Sequence, residues 1–390
     1  MAPAAKLPAS AERTNPGAMT KKRELPLGLG EAAPWFRCAT LGGSDAYVFD
    51  TAAGRSVLML FFGTANNKQT QAALAAVQEK RSLFDDQNAA FFGITVDPAD
   101  AGEKRIARQL PGIRFFLDYD RAVSLQFGAT EPAPSTTYAG HWLLLDRTLR
   151  VRGRFPITES AAALDATAQL ASAPAVPDWA PVVAIPDVLE PELCRRLIDL
   201  YEADGGEDSG FMRDVGGMTK LLVDSRHKVR RDYLIEDPEL ARGLNLRIIH
   251  RLLPMVKRAF QYEATRVERL LVGCYEAETG GHFRAHRDNT SLGTAHRRFA
   301  VTINLNAGEY EGGDLMFPEY GPRTYCAPTG GAIVFSCSLL HQAMPVTKGR
   351  RFAFLPFLYD DEGAKLRERN TKYLEGDLAN YRADKDAAVK

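Results

Sequence analysis

Apolar positions fall along this chain in three successive textures, each predicting a different kind of layer. Residues 57–62 form an unbroken apolar run, Val-Leu-Met-Leu-Phe-Phe, and residues 90–96 form a second. Between them, residues 68–84 place Leu74 and Val77 on one side of a helix. Buried strand, helix and buried strand together make a βαβ unit with a covered sheet. Residues 141–146 and 150–155 then read as two strands joined by a turn. Beyond a stretch dense in Pro and Ala at 171–181 the texture becomes helical. Residues 182–185 read as a strand, and Asp187 with Glu190 as a helix start ahead of Leu193, Leu197 and Leu200. Leu240, Leu244, Ile248, Leu252 and Val256 recur at four-residue spacing through 238–260, and Pro254 is expected to kink or restart that helix. From about 266, short strands alternate with glycine turns, at 267–275, 283–288, 299–305, 313–317, 331–337 and 352–358. Many short strands at this spacing indicate a sandwich or barrel.

The change of texture divides the chain. The expected units are a flexible tail at 1–25, an α/β domain at 26–172, a semi-rigid linker at 173–181, a strand-rich domain at 182–362 and a C-terminal tail at 363–390. With 390 residues, 45% of them hydrophobic, the chain can bury two cores. Equal numbers of basic and acidic residues, 49 each, leave no global field to hold nucleic acid, and no nucleic-acid partner is expected. The basic run 226–231 reads as a solvated face or strand edge. No apolar stretch is long enough to span a bilayer, so no membrane association is expected. Five scattered cysteines without a CxxC pair suit a reduced, cytoplasmic setting.

The sharpest chemical signal is His286-Arg287-Asp288, followed by His341 and, ten positions later, Arg351. In an extended strand, side chains two apart share a face, so His286 and Asp288 can grip one ion while Arg287 points away. A distant His341 completes two histidines and a carboxylate. That set suits Fe(II), which must keep positions open for an organic chelator and dioxygen. Blander readings stand beside it. His141, His227 and His250 read as structural, and His282 with His286 would suit zinc only on a helix, which Gly280-Gly281 disfavours. Arg297 and Arg298 either contact substrate or solvate a strand edge. Gly312 and Gly313 serve a turn, Glu309, Tyr310 and Glu311 sit exposed on it, and Cys274 and Cys337 fill core positions.

Two resemblances add to this. Gly30-Glu31-Ala32-Ala33-Pro34-Trp35-Phe36, the strand ending at Phe62-Gly63 and the later Leu-Leu-Leu-Asp hairpin resemble the peroxiredoxin and thioredoxin-like family over about 140 residues. Where that family places its reactive cysteine, this chain has Thr64-Ala65-Asn66-Asn67-Lys68-Gln69, so the domain is expected to be redox-inactive. Cys38 does not match that site and reads as a partly buried thiol. Residues of about 180 to 361 resemble the prolyl 4-hydroxylase-type 2-oxoglutarate- and Fe(II)-dependent dioxygenases. The motifs are 275–288, with its Tyr, glycine turn and HxD pair; Asn304-Leu305-Asn306 with 310–318; and Pro328, Gly330 and Phe335 through His341 and Pro345-Val346 to Arg351.

The resemblance implies a thioredoxin-like α/β domain followed by a double-stranded β-helix, or jelly roll, with flanking helices. It implies His286, Asp288 and His341 as iron ligands and Arg351 as the cation for the distal carboxylate of 2-oxoglutarate, with Tyr275 and Thr302 as candidate hydroxyls for the same co-substrate. Arg350, one residue away, would face the opposite side of its strand. Cofactors implied are Fe(II) and 2-oxoglutarate, with ascorbate as an auxiliary reductant. The leading function is hydroxylation of an unactivated C–H bond of a peptide, amino acid or small metabolite, with succinate and CO2 released. The alternative is a redox- or oxygen-linked binding or sensor protein with little turnover, in which the thioredoxin-like half recognises a partner. A peroxidase fusion is opposed by the missing cysteine. The expected partners are the substrate and dioxygen; a homo-oligomer or protein partner held by the N-terminal half stays open. The loops 205–220 and 290–296 read as mobile covers of the barrel mouth.

Overall fold

Every residue of the strand Ser56–Gly63 (β1) is buried, as a central strand covered on both faces requires. The computed structural model describes residues 27–132, 136–174, 178–375 and 387–388; the 1–25 tail, linker residues 175–177 and most of the chain beyond 375 lie outside them. Helix α1 (Lys68–Glu79) starts at Asn67, whose side-chain oxygen accepts the Thr70 amide at 2.8 Å and satisfies a first-turn donor. Strands β2 (Ala89–Thr95) and β3 (Ile113–Leu117) continue the sheet in parallel, while β4 (His141–Leu145) pairs antiparallel with β1 and turns into β5 (Val151–Pro156). The order is β3-β2-β1-β4-β5. Phe61, Phe92 and Phe116 fill one face; Phe62, Phe91 and Phe115 fill the other with Ala73 and Val77 of α1 and Ala163 and Leu164 of α2 (Ser160–Ser172). The apolar pattern does not single out β3 because Arg114 interrupts it; that guanidinium donates twice to Asp86, at 2.7 Å each.

The second domain begins with β6 (Val182–Ile185) and α3 (Pro191–Asp204). A hairpin of β7 (Phe211–Val215) and β8 (Met218–Leu222) precedes the short β9 (Lys228–Val229) and β10 (Arg231–Leu234). Helices α4 (Pro238–Arg247) and α5 (Leu253–Phe260) are joined by a π turn at Ile248–Leu252. Pro254 lacks an N–H and its ring crowds the carbonyl four residues back, so the wider turn lets the helix continue. The barrel strands follow: β11 (Leu271–Glu276), β12 (His282–His286), β13 (Phe299–Asn304), β14 (Leu315–Met316), β15 (Ala332–Ser336), β16 (His341–Ala343), β17 (Arg350–Phe354) and β18 (Phe357–Tyr359). The larger sheet contains β18-β13-β17-β11-β10, with β15 and β6 attached through β13; the smaller contains β9-β12-β16-β14. This is the double-stranded β-helix, with α3 to α5 packed on the outside of the larger sheet through Leu197, Leu244, Leu252 and Val256 against Val272, Val301 and Val334.

Residues 361–370, placed mostly in the C-terminal tail by the sequence reading, form helix α6 (Asp361–Asn370). Asp360 caps it by accepting the Gly363 amide at 2.7 Å, and buried Arg367 donates to the Tyr359 hydroxyl at 3.2 Å. Among the described residues no helix is long and apolar enough to cross a membrane.

Candidate metal centre

Strands β12 and β16 pair with His286 opposite His341, after a bulge between Phe283 and His286. Two residues further on, Asp288 is fixed by its own amide, which donates to the Cys337 carbonyl at 3.0 Å. His286 Nε2 lies 3.4 Å from Asp288 Oδ1 and His341 Nε2 lies 3.3 Å from Asp288 Oδ2. One ligand atom from each residue falls within 4.8 Å of the others. Both Nδ1 atoms face carbonyl oxygens, His286 that of Arg284 at 2.8 Å and His341 that of Leu339 at 3.0 Å. A carbonyl only accepts, so each Nδ1 carries a proton and Nε2 is the atom left to bind a metal. When both rings are neutral, two lone-pair nitrogens face a carboxylate, an arrangement that a cation between them resolves. Two imidazoles and one carboxylate fit Fe(II) in donor type and number.

Burial favours the neutral form of His341. Burial pushes His341 down to about 4, against the opposing pull of Asp288, so it is neutral at physiological pH. Burial alone would raise Asp288, but His341 and His286 outweigh it and hold the carboxyl well below its ordinary range. Phe283 stacks on His286 with ring centroids 3.5 Å apart, and Phe335 meets His341 edge-on at 4.6 Å. These rings restrict both imidazoles.

Arg351 lies on β17 opposite Tyr275 of β11. Phe352 and Phe354 point outward into the helix-side core, so Arg351 turns inward, where it is 3% exposed. Its Nη2 donates to Asn304 Oδ1 at 3.2 Å and its guanidinium stands 5.3 Å from the centre of the Tyr275 ring. Among the described residues it pairs with no carboxylate, and its Nε has no protein partner. A buried guanidinium in that condition suits an acidic ligand. Arg350 instead reaches out to Glu202 at 2.7 Å. Thr302 is buried on β13, on the same face as Asn304. Asn304 holds its orientation by donating to Ala327 O at 2.7 Å; within its sequence motif nothing marks this role.

Several other expectations need correction. The basic run at 226–231 does form a strand edge, with β9 at the end of its sheet and Arg226 and Arg231 solvated, but Lys228 is 5% exposed, its Nζ donating to Ser209 Oγ at 2.6 Å and Gly210 O at 2.7 Å. Arg230 forks onto Asp232 at 2.6 and 2.7 Å and reaches the Tyr275 hydroxyl at 3.4 Å. His227 meets the His286 ring at 6.5 Å and burial pushes it down to about 3. Alternation hinted at this, since Lys228, Arg230 and Asp232 share a parity and Arg230 pairs with Asp232, but Ser209 and Tyr275 are distant in sequence. Arg297 does not solvate an edge; it is buried and bonded to Glu268 at 2.6 Å, as is His296. As the glycines at 280–281 imply, His282 lies in a strand and outside the ligand cluster. Tyr310 is not simply exposed, since it interacts with Arg351 and Cys326. The loops at 205–220 and 290–296 are knitted together: Leu292 N donates to Asp214 at 3.0 Å and Gly293 N to Thr219 Oγ1 at 2.9 Å.

In the N-terminal domain, Thr64 Oγ1 donates to Asp97 Oδ2 at 2.8 Å and the Ala65 amide to the buried Asp100 at 2.9 Å. No thiol stands among them. Burial pushes the Cys38 thiol up to about 12, the opposite of what a reactive thiolate needs.

Residues 270–359 match the 2OG-Fe(II) oxygenase superfamily, and residues 29–155 match the AhpC/TSA family. A PKHD-type hydroxylase of Cupriavidus metallidurans is 28% identical over 228 residues, covering 53% of this chain and 92% of that protein. A prolyl hydroxylase of Trichoplax adhaerens, solved with a hypoxia inducible factor oxygen degradation domain peptide fragment, is 17% identical with a TM-score of 0.36, covering 48% of this chain and 86% of that one. Peroxidoxin BcpB of Mycobacterium tuberculosis is 17% identical with a TM-score of 0.32, covering 37% and 97%. The chain joins a thioredoxin-like AhpC/TSA domain to a 2OG-Fe(II) oxygenase domain built on the double-stranded β-helix.

Proposed function

We propose that this two-domain oxygenase hydroxylates an unactivated C–H bond of a peptide, amino acid or small metabolite, with 2-oxoglutarate as co-substrate. The observation that carries the reading is a pair of complementary features in one barrel: the His286, Asp288 and His341 cluster, and an inward Arg351 without a carboxylate partner among the described residues. When bound, iron with 2-oxoglutarate and dioxygen supplies the oxidising power to insert an oxygen atom into a C–H bond, leaving succinate and CO2. The protein residues supply position. The Arg284 and Leu339 carbonyls hold the Nδ1–H of His286 and His341 and so leave Nε2 of each ring as the ligating atom. Arg351 offers two parallel donors to the distal carboxylate and keeps its charge when buried. Tyr275 and Thr302 line the same interior, and Asn304 aims the guanidinium. Phe283 and Phe335 pack against the two imidazoles and fix their orientation. A sensor without turnover has no need of a co-substrate clamp, so Arg351 favours the enzyme over the binding-protein alternative. The N-terminal domain is read as redox-silent.

The test is succinate release by the full chain with Fe(II), 2-oxoglutarate and O2 against peptide and amino-acid panels, with mass detection of an added oxygen. Loss of charge-assisted bonds in Arg351→Ala should raise the 2-oxoglutarate KM by roughly 10- to 100-fold while metal affinity holds. Equal losses of both affinities, or succinate release indifferent to Arg351, would contradict the assignment.

A further inference from the structure

Alternation along β12 and its extension turns His286 and Asp288 into the barrel, and Ala285 and Arg287 toward its outer side. That outer side is covered by the N-terminal domain. Ala285 packs against the N-terminal core, and Leu340, the residue before His341, is a member of that core with Phe49, Ala52 and Ala53. The approach is close: a Cβ on Gly54 would lie 2.6 Å from Pro318 Cβ and 3.3 Å from Leu340 Cδ2.

Arg287 crosses the boundary. Its Nη2 donates to the Asp50 carbonyl at 2.9 Å, and its Nε lies 3.5 Å from Asp50 Oδ2. The same guanidinium forks onto Glu319 at 2.9 and 3.1 Å, and Glu319 accepts the Leu340 amide at 2.8 Å. It also donates to the Ser338 carbonyl, and Trp35 of the N-terminal domain lies 5.1 Å away, ring centre to guanidinium. One buried charge cluster thus ties Asp50 to the residue between two ligands and to the residue before the third. A second grip lies nearby. Arg37 donates to Asp214 at 2.8 Å and to the Thr290 carbonyl, and Gly216 N donates to Asp45 Oδ2 at 3.2 Å. This fastens the β7–β8 hairpin and the chain just past Asp288 to the same domain.

From this geometry we infer that the peroxiredoxin-like domain is a built-in buttress of the metal centre. Through Asp50, Arg287, Glu319 and Leu340 it fixes the backbone that carries His286, Asp288 and His341, so that domain docking and metal binding are coupled. Asp50 and Arg287 are positioning residues that act through the ligands. The inference rests on the iron reading of the triad. It gives the silent domain a task that needs no thiol. A guanidinium held by two carboxylates and two carbonyls has little freedom to shift, and outer groups that orient metal ligands typically alter metal affinity 10- to 100-fold when changed.

The experiment is anaerobic Co(II) titration of the full chain, followed by its visible spectrum. Asp50→Asn should weaken Co(II) binding by about 10-fold while urea unfolding shows a folded protein. Arg287→Lys, which keeps the charge, should lose less than Arg287→Ala. Wild-type affinity in folded Asp50→Asn would overturn the inference and leave the iron reading standing. A wild-type chain that binds no Co(II), or whose binding survives His286→Ala, would bring down both. Should the variants fail to fold, hydrogen exchange on the wild type decides. Reciprocal coupling requires Co(II) to slow exchange at 49–54 as well as at 285–288 and 340–343, and slowing confined to the latter two would overturn the inference.

Discussion

Arg350 and Arg351 show how much a single residue's chemistry can be read before its neighbours are known. Strand alternation separates them, and the protein places Arg350 outward on Glu202 and Arg351 inward beside Tyr275. The burial of residues 228 and 230 was not legible in the same way, because Ser209 and Tyr275, which meet them alongside the nearby Asp232, lie far away in sequence. His141 is the histidine whose structural role has the clearest consequence. It stacks on Phe61 at 4.8 Å, its Nδ1 donates to Ala139 O, and its Nε2 is buried without a partner. Burial lowers its pKa from 6.5 to about 4. A folded pKa below the unfolded one means that the unfolded chain takes up the proton first as acid is added. The stability tied to neutral His141 is therefore complete above about 6.5 and lost as pH falls toward 4, on the order of 3 kcal/mol. Urea unfolding at pH 7 and pH 4.5 should show a gap that narrows in His141→Gln. An unchanged gap would contradict this account of the residue.

Elements with strong periodicity were legible: β1, β2, the β4–β5 hairpin and the long helical stretch through Pro254 all follow from apolar spacing. The π turn at Ile248–Leu252 did not, since proline announces a disturbance without its form. The two-residue strand β9 carries no local signal, and only its partner β12 defines it, whereas β14 falls within the apolar strand expected at 313–317. The turn at Gly312–Gly313 is read correctly as glycine-dependent, and it also bears on the site. Gly313 has φ +70°, and a Cβ there would stand 2.9 Å from Val346 Cγ2 and 3.0 Å from Arg351 Cδ. Gly313→Ala should cost about 1–3 kcal/mol in unfolding free energy and raise the 2-oxoglutarate KM more than it weakens metal binding. Unaltered co-substrate affinity in a destabilised variant would show that the turn and the guanidinium are independent.

At the scale of the whole molecule, the division into an α/β half and a strand-rich half was visible in the apolar texture, as was the cluster of ligand candidates. The way the halves join was not. Asp50 and Arg287 are 237 residues apart in sequence, and Leu340 reads as a barrel residue although it completes the neighbouring core. The ligand strands are thus pinned from outside by a domain that holds Thr64, Ala65 and Asn66 where the peroxiredoxin-like family places its reactive cysteine. The account stands on those strands bringing His286, Asp288 and His341 around one ferrous ion with room for a chelating co-substrate. Its most direct test is visible absorption of the anaerobic full chain on addition of Fe(II) and then 2-oxoglutarate. A weak charge-transfer band that requires both additions and disappears in His286→Ala and in Asp288→Ala is the predicted result; no band in the wild type, or a band that persists in both variants, would contradict it.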